Sequence, residues 1–207
     1  MTRVLKINLV LTIFYVVGFI GITQTAFKEI FLSLTFFTLL LSFFALWLTR
    51  NKKKEEWYMF VAFVYVLGFF VEWIGVHFGL LFGNYGYGDN LGPKVSGIPI
   101  IIGVNWLIVS VTAASIAKKW RWGIWLRPFI GALLMVGFDY ILEPVAINSD
   151  FWSWENGVIP FYNYVCWFAI GLLIQVVYHF TNLNESNKVN DYLLVLMTVF
   201  FVSLNLF

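Results

Sequence analysis

The stretch WYMFVAFVYVLGFFVEWIGVHFG, residues 57–79, holds a single carboxyl, Glu72, and neither lysine nor arginine. A helix needs about 20 mainly apolar residues to cross the hydrocarbon core of a bilayer. The stretch therefore predicts a transmembrane helix. Glu72 is its exception, because an ionisable group inside such a helix is costly to insert and usually faces the bundle interior or a functional path.

Comparable apolar windows lie on both sides of this stretch. They cover residues 7–26, 29–48, 98–117, 124–146, 160–180 and 190–207. With residues 57–79 they predict an all-α polytopic membrane protein, a bundle of about seven transmembrane helices. No segment between the windows is long enough to bury a core of its own, so residues 1–207 are expected to form a single integral membrane domain.

The composition excludes several classes of function. Hydrophobic residues make up 61% of the 207 residues and charged residues only 12%, against about 25% charged in soluble domains. The net charge of +2 lies mostly in loops and indicates no nucleic-acid partner. A lone cysteine, Cys166, excludes an internal disulfide and a thiolate metal site, and it is interpreted as a small buried apolar residue. No metal or nucleotide fingerprint is present, so no cofactor is expected.

The distribution of lysine and arginine predicts the orientation, because short cytoplasmic loops are enriched in both. The amino-terminal side of the bundle holds most of them: Arg3, Lys6, Arg50, Lys52, Lys53, Lys54, Lys118, Lys119, Arg121, Arg127 and Lys188. The opposite side holds only Lys28 and Lys94. We therefore expect a protein of the cell (inner) membrane with a cytoplasmic amino terminus and external loops at residues 80–97 and 147–159.

Three carboxyls fall inside predicted helices. Glu72 lies in the outer half of the third helix, and Asp139 and Glu143 are four residues apart in the fifth, so they share a face. Both helices run outward, which places the three at a similar depth. Other polar side chains are expected at that depth: Gln24, His77, Asn105 and Asn163. The alternative is that these groups only join helices by hydrogen bonds.

The two external loops are rich in aromatic residues. The first contains Phe82-Gly83-Asn84-Tyr85-Gly86-Tyr87, and the second contains Trp152-Ser153-Trp154. Such segments can fold into the mouth of the bundle, although tryptophan and tyrosine also favour the headgroup region of any membrane protein. For Trp120, Trp122 and Trp125 on the cytoplasmic side, we favour a place in this headgroup region, the aromatic belt, over a role in the site.

A carboxyl in the low dielectric of a bundle resists ionisation and can act as a general acid. Nearby aromatic faces stabilise cations. An acid beside a second carboxylate, surrounded by aromatic rings, suits protonation of an alkene and capture of the carbocation.

Three blocks of sequence carry a family resemblance. The first runs from EWIGV at 72–76 to FGNYGY at 82–87, the second from LGPK at 91–94 through GIP at 97–99 to Trp106, and the third from Phe138-Asp139 through EPVA at 143–146 to Trp152 and Trp154. Their order and spacing resemble the carotenoid biosynthesis membrane protein family, which includes the carotenoid 1',2'-hydratases and the archaeal bisanhydrobacterioruberin hydratase.

The chain departs from the family pattern at two places. Glu143 stands where an aspartate is expected before Pro-Val-Ala, which keeps the acid and lengthens its reach. His77-Phe78 stands where a small hydroxyl residue is expected before Gly79. The second departure bears on substrate identity more than on reaction type.

The resemblance implies addition of water across the terminal double bond of an acyclic carotenoid end group, giving a tertiary alcohol. Our hypothesis assigns Asp139 as the acid and Glu72 as the base, with Glu143 as the third catalytic carboxyl. The substrate-binding candidates are Tyr85, Tyr87, Asn105, Trp106, Trp152, Trp154, Asn163 and His77. The expected partners are a lipid-soluble carotenoid, water and membrane lipid.

Other functions also fit these residues. A proton-coupled transporter or a carotenoid-binding protein would use the carboxyls as a proton relay or cation path. A lycopene cyclase-like isomerase would use the same acid and cation without capturing water. A retinal photoreceptor is disfavoured, because that chemistry needs a lysine in the final helix and residues 190–207 contain none.

Overall fold

The computed structural model describes residues 1–24, 26–50, 55–119, 123–181, 183 and 187–207. Lys52, Lys53, Lys54, Trp120, Arg121 and Trp122, which entered the predictions of orientation and aromatic belt, lie outside these ranges. The helices are α1 Arg3–Thr23, α2 Lys28–Ser33, α3 Thr35–Thr49, α4 Glu55–Phe78, α5 Ile102–Lys119, α6 Leu126–Asn148, α7 Phe161–Phe180 and α8 Lys188–Leu204. Every predicted apolar window contains a helix, and the all-α class is confirmed.

Five spans of the described chain are long and apolar enough to cross a membrane: α1, α2 with α3, α4, α6 and α7. Leu34, between α2 and α3, keeps a helical backbone with φ −80° and ψ −4°, which makes them one span. The number seven stays a prediction, because α5 and α8 are not among the five. The 17 residues of α8 fall short of the usual spanning length of about 20.

Helix α5 is less apolar than the five spans, and its buried position in the bundle explains the difference. Fourteen of its eighteen residues are buried, including Ser110, Thr112 and Ser115. Neighbouring helices surround α5, so its side chains need not be soluble in lipid. Thr112 donates its hydroxyl to the carbonyl of Ile108 at 2.8 Å, which satisfies the polar group within the helix itself.

Short strands lie within the two loops that were predicted to be external and just after the first of them. They are β1 Tyr85–Tyr87, β2 Lys94–Val95, β3 Ile98–Pro99 and β4 Trp152–Trp154. The window 98–117 was predicted wholly helical, but its first residues pair with β2 instead. The turn between these strands, Ser96 and Gly97, has positive φ angles of 50° and 78°, the conformation that a tight two-residue hairpin requires.

The antiparallel pair of β1 and β4 joins the two loops across the bundle. Its register sets Tyr85 opposite Trp154 and Tyr87 opposite Trp152. We call this pair the ribbon, and the end of the bundle that it closes the ribbon end. Backbone bonds continue the pairing on both sides, from Gly88 N–H to the Phe151 carbonyl at 3.0 Å and from Glu155 N–H to the Asn84 carbonyl at 2.9 Å.

Candidate active site

Three carboxyls are buried at the ribbon end. Relative exposures are 4% for Glu72 on α4, 0% for Asp139 and 1% for Glu143, both on α6. Asp139 and Glu143 stand one helical turn apart on the same face of α6. The Asn163 amide bonds both of these carboxyls. The Tyr85 ring, whose hydroxyl bonds Glu72, packs against the Trp154 ring, whose indole bonds Glu143, so the three carboxyls form one cluster.

Glu72 accepts hydrogen bonds from three aromatic side chains. The Tyr85 hydroxyl donates to Oε2 at 2.5 Å, the Tyr87 hydroxyl to the same oxygen at 2.7 Å, and Trp106 Nε1 to Oε1 at 2.9 Å. Two donors come from the ribbon and the third from the central helix α5. The Glu72 carboxyl therefore connects α4, α5 and the ribbon.

Two glycines of α4 make room for these donors. A Cβ at Gly68 would lie 2.8 Å from the Trp106 side chain, and a Cβ at Gly75 would lie 2.6 Å from the Tyr85 hydroxyl. The glycines stand four residues before and three residues after Glu72, so they lie on its side of the helix. The Trp106 and Tyr85 rings can approach α4 this closely because glycine has no side chain at either position.

Replacing Gly75 with alanine is expected to displace the Tyr85 hydroxyl from Glu72. Loss of this buried bond should lower the free energy of unfolding by about 1–3 kcal/mol, although alanine favours a helix over glycine by about 1 kcal/mol. The matched control is Gly137→Ala on α6, where an added Cβ meets nothing within 4 Å. Thermal unfolding in detergent compares the two variants, and an equal midpoint for both would contradict this account of Gly75.

Glu143 also accepts three hydrogen bonds. Trp152 Nε1 donates to Oε2 at 3.0 Å and Trp154 Nε1 to the same oxygen at 2.8 Å. The third donor, Asn163 Nδ2 of α7, lies 3.2 Å from Oε1. The same amide nitrogen lies 2.9 Å from Asp139 Oδ2. Asn163 thus bridges the two carboxyls of α6.

Asp139 differs from the two glutamates in its hydrogen bonding. Its Oδ1 is buried and has no hydrogen-bond partner among the described residues. Asn163 is the donor recorded for its other oxygen. A buried oxygen without a partner is costly, and it is the place where a proton, a water molecule or a substrate atom can be accommodated.

The ribbon geometry explains how four aromatic donors reach two carboxyls on different helices. Alternate residues of a strand point to the same face, so Tyr85 and Tyr87 of β1 and Trp152 and Trp154 of β4 share one side. Their rings also pack across the strands, with centroids 5.0 Å apart for Tyr85 and Trp154 and 6.1 Å apart for Tyr87 and Trp152. The antiparallel register thereby presents two phenols to Glu72 and two indoles to Glu143.

The donors recorded for the cluster are all neutral: two phenols, three indoles and one carboxamide. Burial, followed by the charge of Glu72, raises the pKa of Tyr85 and of Tyr87. Both phenols therefore stay protonated and donate throughout the ordinary pH range. The ion pairs recorded within the described chain, Lys94 with Asp89 and Lys119 with Asp191, involve other carboxylates.

Sequence reasoning missed two neighbours of the cluster. The Trp167 ring stacks on Trp106 with centroids 3.9 Å apart and planes 11° apart. Trp167 follows Asn163 by four residues on α7, so helical spacing was a signal that could have found it. Cys166, predicted as a small buried residue, is 5% exposed and accepts the Phe82 backbone N–H at 3.3 Å, which fixes the start of the ribbon loop.

Some predicted site residues lie away from the carboxyls. His77 is exposed on the last turn of α4, where its Nδ1 lies 2.9 Å from the Trp73 carbonyl and its ring packs against the Trp73 indole. Gln24 is exposed at the end of α1. Asn105 is buried on α5 and lines an apolar cavity beside the cluster. Of the eight substrate-binding candidates, Tyr85, Tyr87, Trp106, Trp152, Trp154 and Asn163 contact the carboxyls.

A family model described as carotenoid biosynthesis protein matches residues 7–207. The match includes every helix that contributes to the carboxyl cluster, together with both strands of the ribbon. Neither a curated protein nor a solved structure matches the chain.

Proposed function

The chain belongs to the carotenoid biosynthesis protein family, and from that premise we propose that it is a carotenoid hydratase. The reaction adds water to the terminal double bond of an acyclic carotenoid end group and yields a tertiary alcohol. The observation that carries the proposal is the buried carboxyl cluster with neutral aromatic donors. Family membership supports a biosynthetic role in the membrane, and the cluster supplies the chemistry for this particular step.

Asp139 is the proposed general acid. Glu72 and Glu143 each accept three donors, which suits carboxylates, because a carboxylate offers about four acceptor sites. Asp139 has one recorded donor and a buried oxygen without a partner. Two neighbouring negative charges favour a proton on the third carboxyl, so Asp139 enters the reaction protonated.

The proton of Asp139 passes to the less substituted carbon of the double bond. The electron pair of that bond forms the new C–H bond and leaves a tertiary cation on the other carbon. Two carboxylates held by fixed neutral donors stabilise this positive charge, because preorganised groups of opposite sign act strongly in a low dielectric. The faces of the surrounding aromatic rings add to the stabilisation.

Water then attacks the cation and forms the C–O bond. Glu72 retains about one free acceptor site of four, and in our proposal it receives the proton that the attacking water releases. Glu143 lies within electrostatic range of Glu72 and shares the Asn163 amide with Asp139. In the proposed cycle the proton passes from Glu72 to Glu143 and from Glu143 to Asp139, which restores the starting protonation, so that each turnover consumes one alkene and one water molecule.

The ribbon end is the proposed external face of the cell (inner) membrane. This orientation rests on the excess of lysine and arginine in the loops at the opposite end, with the amino terminus in the cytoplasm. Water reaches the cluster from the ribbon side, whereas a carotenoid dissolves in the lipid. In this orientation both reactants are available at the ribbon end.

The proposal is tested by expressing the chain in cells that accumulate an acyclic polyene such as lycopene and by analysing the pigments. A pigment with a tertiary hydroxyl at an end group is expected. A ring-containing pigment of unchanged composition would instead indicate a cyclase. Unchanged pigment, with the protein present in the membrane, would contradict the hydratase, and a proton-coupled flux in liposomes would then favour transport.

A further inference from the structure

An apolar cavity of about 390 Å³ lies beside the carboxyl cluster at the ribbon end. Its volume is within the range of about 300–1,000 Å³ that is usual for ligand pockets. Residues of α1, the α2–α3 span, α5, α6 and α8 form its walls, and nearly all of them are apolar. Glu72, Asp139 and Glu143 are not among the lining residues, so this cavity is separate from the cluster already described.

One side of the cavity faces the lipid. Ile13, Phe14 and Val17 of α1 and Leu34 and Phe37 of the α2–α3 span all line it, and each is exposed by 42% or more. These residues belong to membrane spans, where an exposed apolar side chain contacts hydrocarbon. A ligand that enters between α1 and α3 therefore comes from the bilayer and never has to cross water.

The inner end of the cavity approaches the cluster. Leu142 and Val145, which flank Glu143 on α6, line it and are 4% and 5% exposed. Trp152 also lines it, while its Nε1 donates to Glu143 at 3.0 Å. One indole thus touches the cavity on one side and the carboxyl cluster on the other.

We propose that this cavity receives the apolar chain of a lipid-dissolved acyclic polyene through the opening between α1 and α3, with its end group held against Trp152. The proposal rests on the proposed function for the identity of the polyene. The Trp152 indole, which donates to Glu143, lies between this end group and the carboxyl cluster.

Gly18 of α1 offers a direct test, because it lines the cavity and an added Cβ would meet only Phe200 Cε2 at 3.9 Å. Gly18→Leu therefore fills cavity space without a backbone clash. Thr35→Phe fills the cavity from the opposite wall. Gly137→Leu is the matched control, since Gly137 is exposed on α6 with nothing within 4 Å of an added Cβ.

Each full-length variant is purified in detergent and incubated with lycopene, and the pigment retained per protein is measured by absorbance after gel filtration. Because the new side chains occupy space that the polyene would fill, retention should weaken about ten-fold in both filling variants, with unfolding midpoints near wild type. Gly137→Leu should retain as much lycopene as wild type. Retention equal to wild type in Gly18→Leu and Thr35→Phe would overturn the proposal.

The binding measurement separates this inference from the proposed reaction. Lycopene retention that is lost on filling the cavity, without any hydroxylated product from wild type, would support the cavity and refute the hydratase. Product formation that survives both filling variants would support the hydratase and refute the cavity as its polyene site.

Discussion

Replacing Asp139 with asparagine is expected to lower formation of the hydroxylated pigment about 100- to 10,000-fold, the contribution usual for a general acid. Asparagine has the shape of a neutral aspartic acid but cannot release a proton to an alkene. Its side-chain carbonyl oxygen can still accept the hydrogen bond that the Asn163 amide donates to Asp139. The unfolding midpoint should therefore stay close to that of wild type, and the loss should appear in turnover alone.

The measurement is pigment analysis by chromatography, normalised to the amount of variant in the membrane. Glu55→Gln is the matched control, because Glu55 is also a carboxyl of a spanning helix but is exposed at the end of α4 remote from the ribbon. It should retain wild-type activity. Full activity of Asp139→Asn would show that another group donates the proton.

Replacing Glu72 with glutamine is expected to reduce both turnover and stability. Tyr85, Tyr87 and Trp106 donate to its two oxygens, and glutamine offers only one acceptor oxygen to these three donors. Either orientation of the amide leaves at least one buried O–H or N–H unpaired, at a cost of about 1–3 kcal/mol. The variant also loses the base that receives the proton from water.

Thermal unfolding in detergent measures the first effect. A loss of this size should lower the midpoint by about 2–4 °C per kcal/mol for a chain of this length. Pigment analysis measures the second effect, for which we expect a decrease of about 100-fold or more. A Glu72→Gln variant with wild-type stability would contradict the role of Glu72 in holding the ribbon, and one with wild-type turnover would remove it as the base.

The helices were predictable from the sequence because each apolar window carries its own signal. The position of the candidate site was predictable from Glu72, Asp139 and Glu143. An ionisable side chain is costly to bury inside a spanning helix, so such a residue usually has a functional or structural role there. The loop aromatics were identified from their residue types. Tyr85, Tyr87, Trp152 and Trp154 were expected near the carboxyls, and all four donate to them.

The pairing of the two loops was not predictable, because the register of β1 with β4 depends on residues more than sixty positions apart. Trp167 could have been placed on the face of Asn163 by helical spacing, but its stacking on Trp106 could not be predicted, because that contact forms only when α5 and α7 pack. His77 was expected at the site from its depth alone, and depth does not determine which side of α4 a residue occupies. The helix after β3 begins later than predicted because the apolar residues at 98–101 suit a buried hairpin as well as a helix.

The cavity could not be foreseen either, because its walls come from separate segments of the chain: α1, the α2–α3 span, α5, α6 and α8. The sequence does not distinguish Gly18 from other glycines of spanning helices. Its position at the cavity becomes evident only from the packing of α1 against α8. Local patterns identify elements and chemical groups, whereas empty space and side-chain direction depend on the assembled bundle.

The proposed reaction uses one buried carboxyl cluster to protonate an acyclic end group and to direct water to the resulting cation. Its most direct test supplies lycopene to the purified full-length chain in liposomes made with heavy-oxygen water and analyses the pigment by mass spectrometry. We expect one heavy oxygen in a tertiary hydroxyl at the end group with the wild-type chain, and no such hydroxylated pigment with Asp139→Asn. Pigment that gains a ring without oxygen, or that is recovered unchanged, would contradict it.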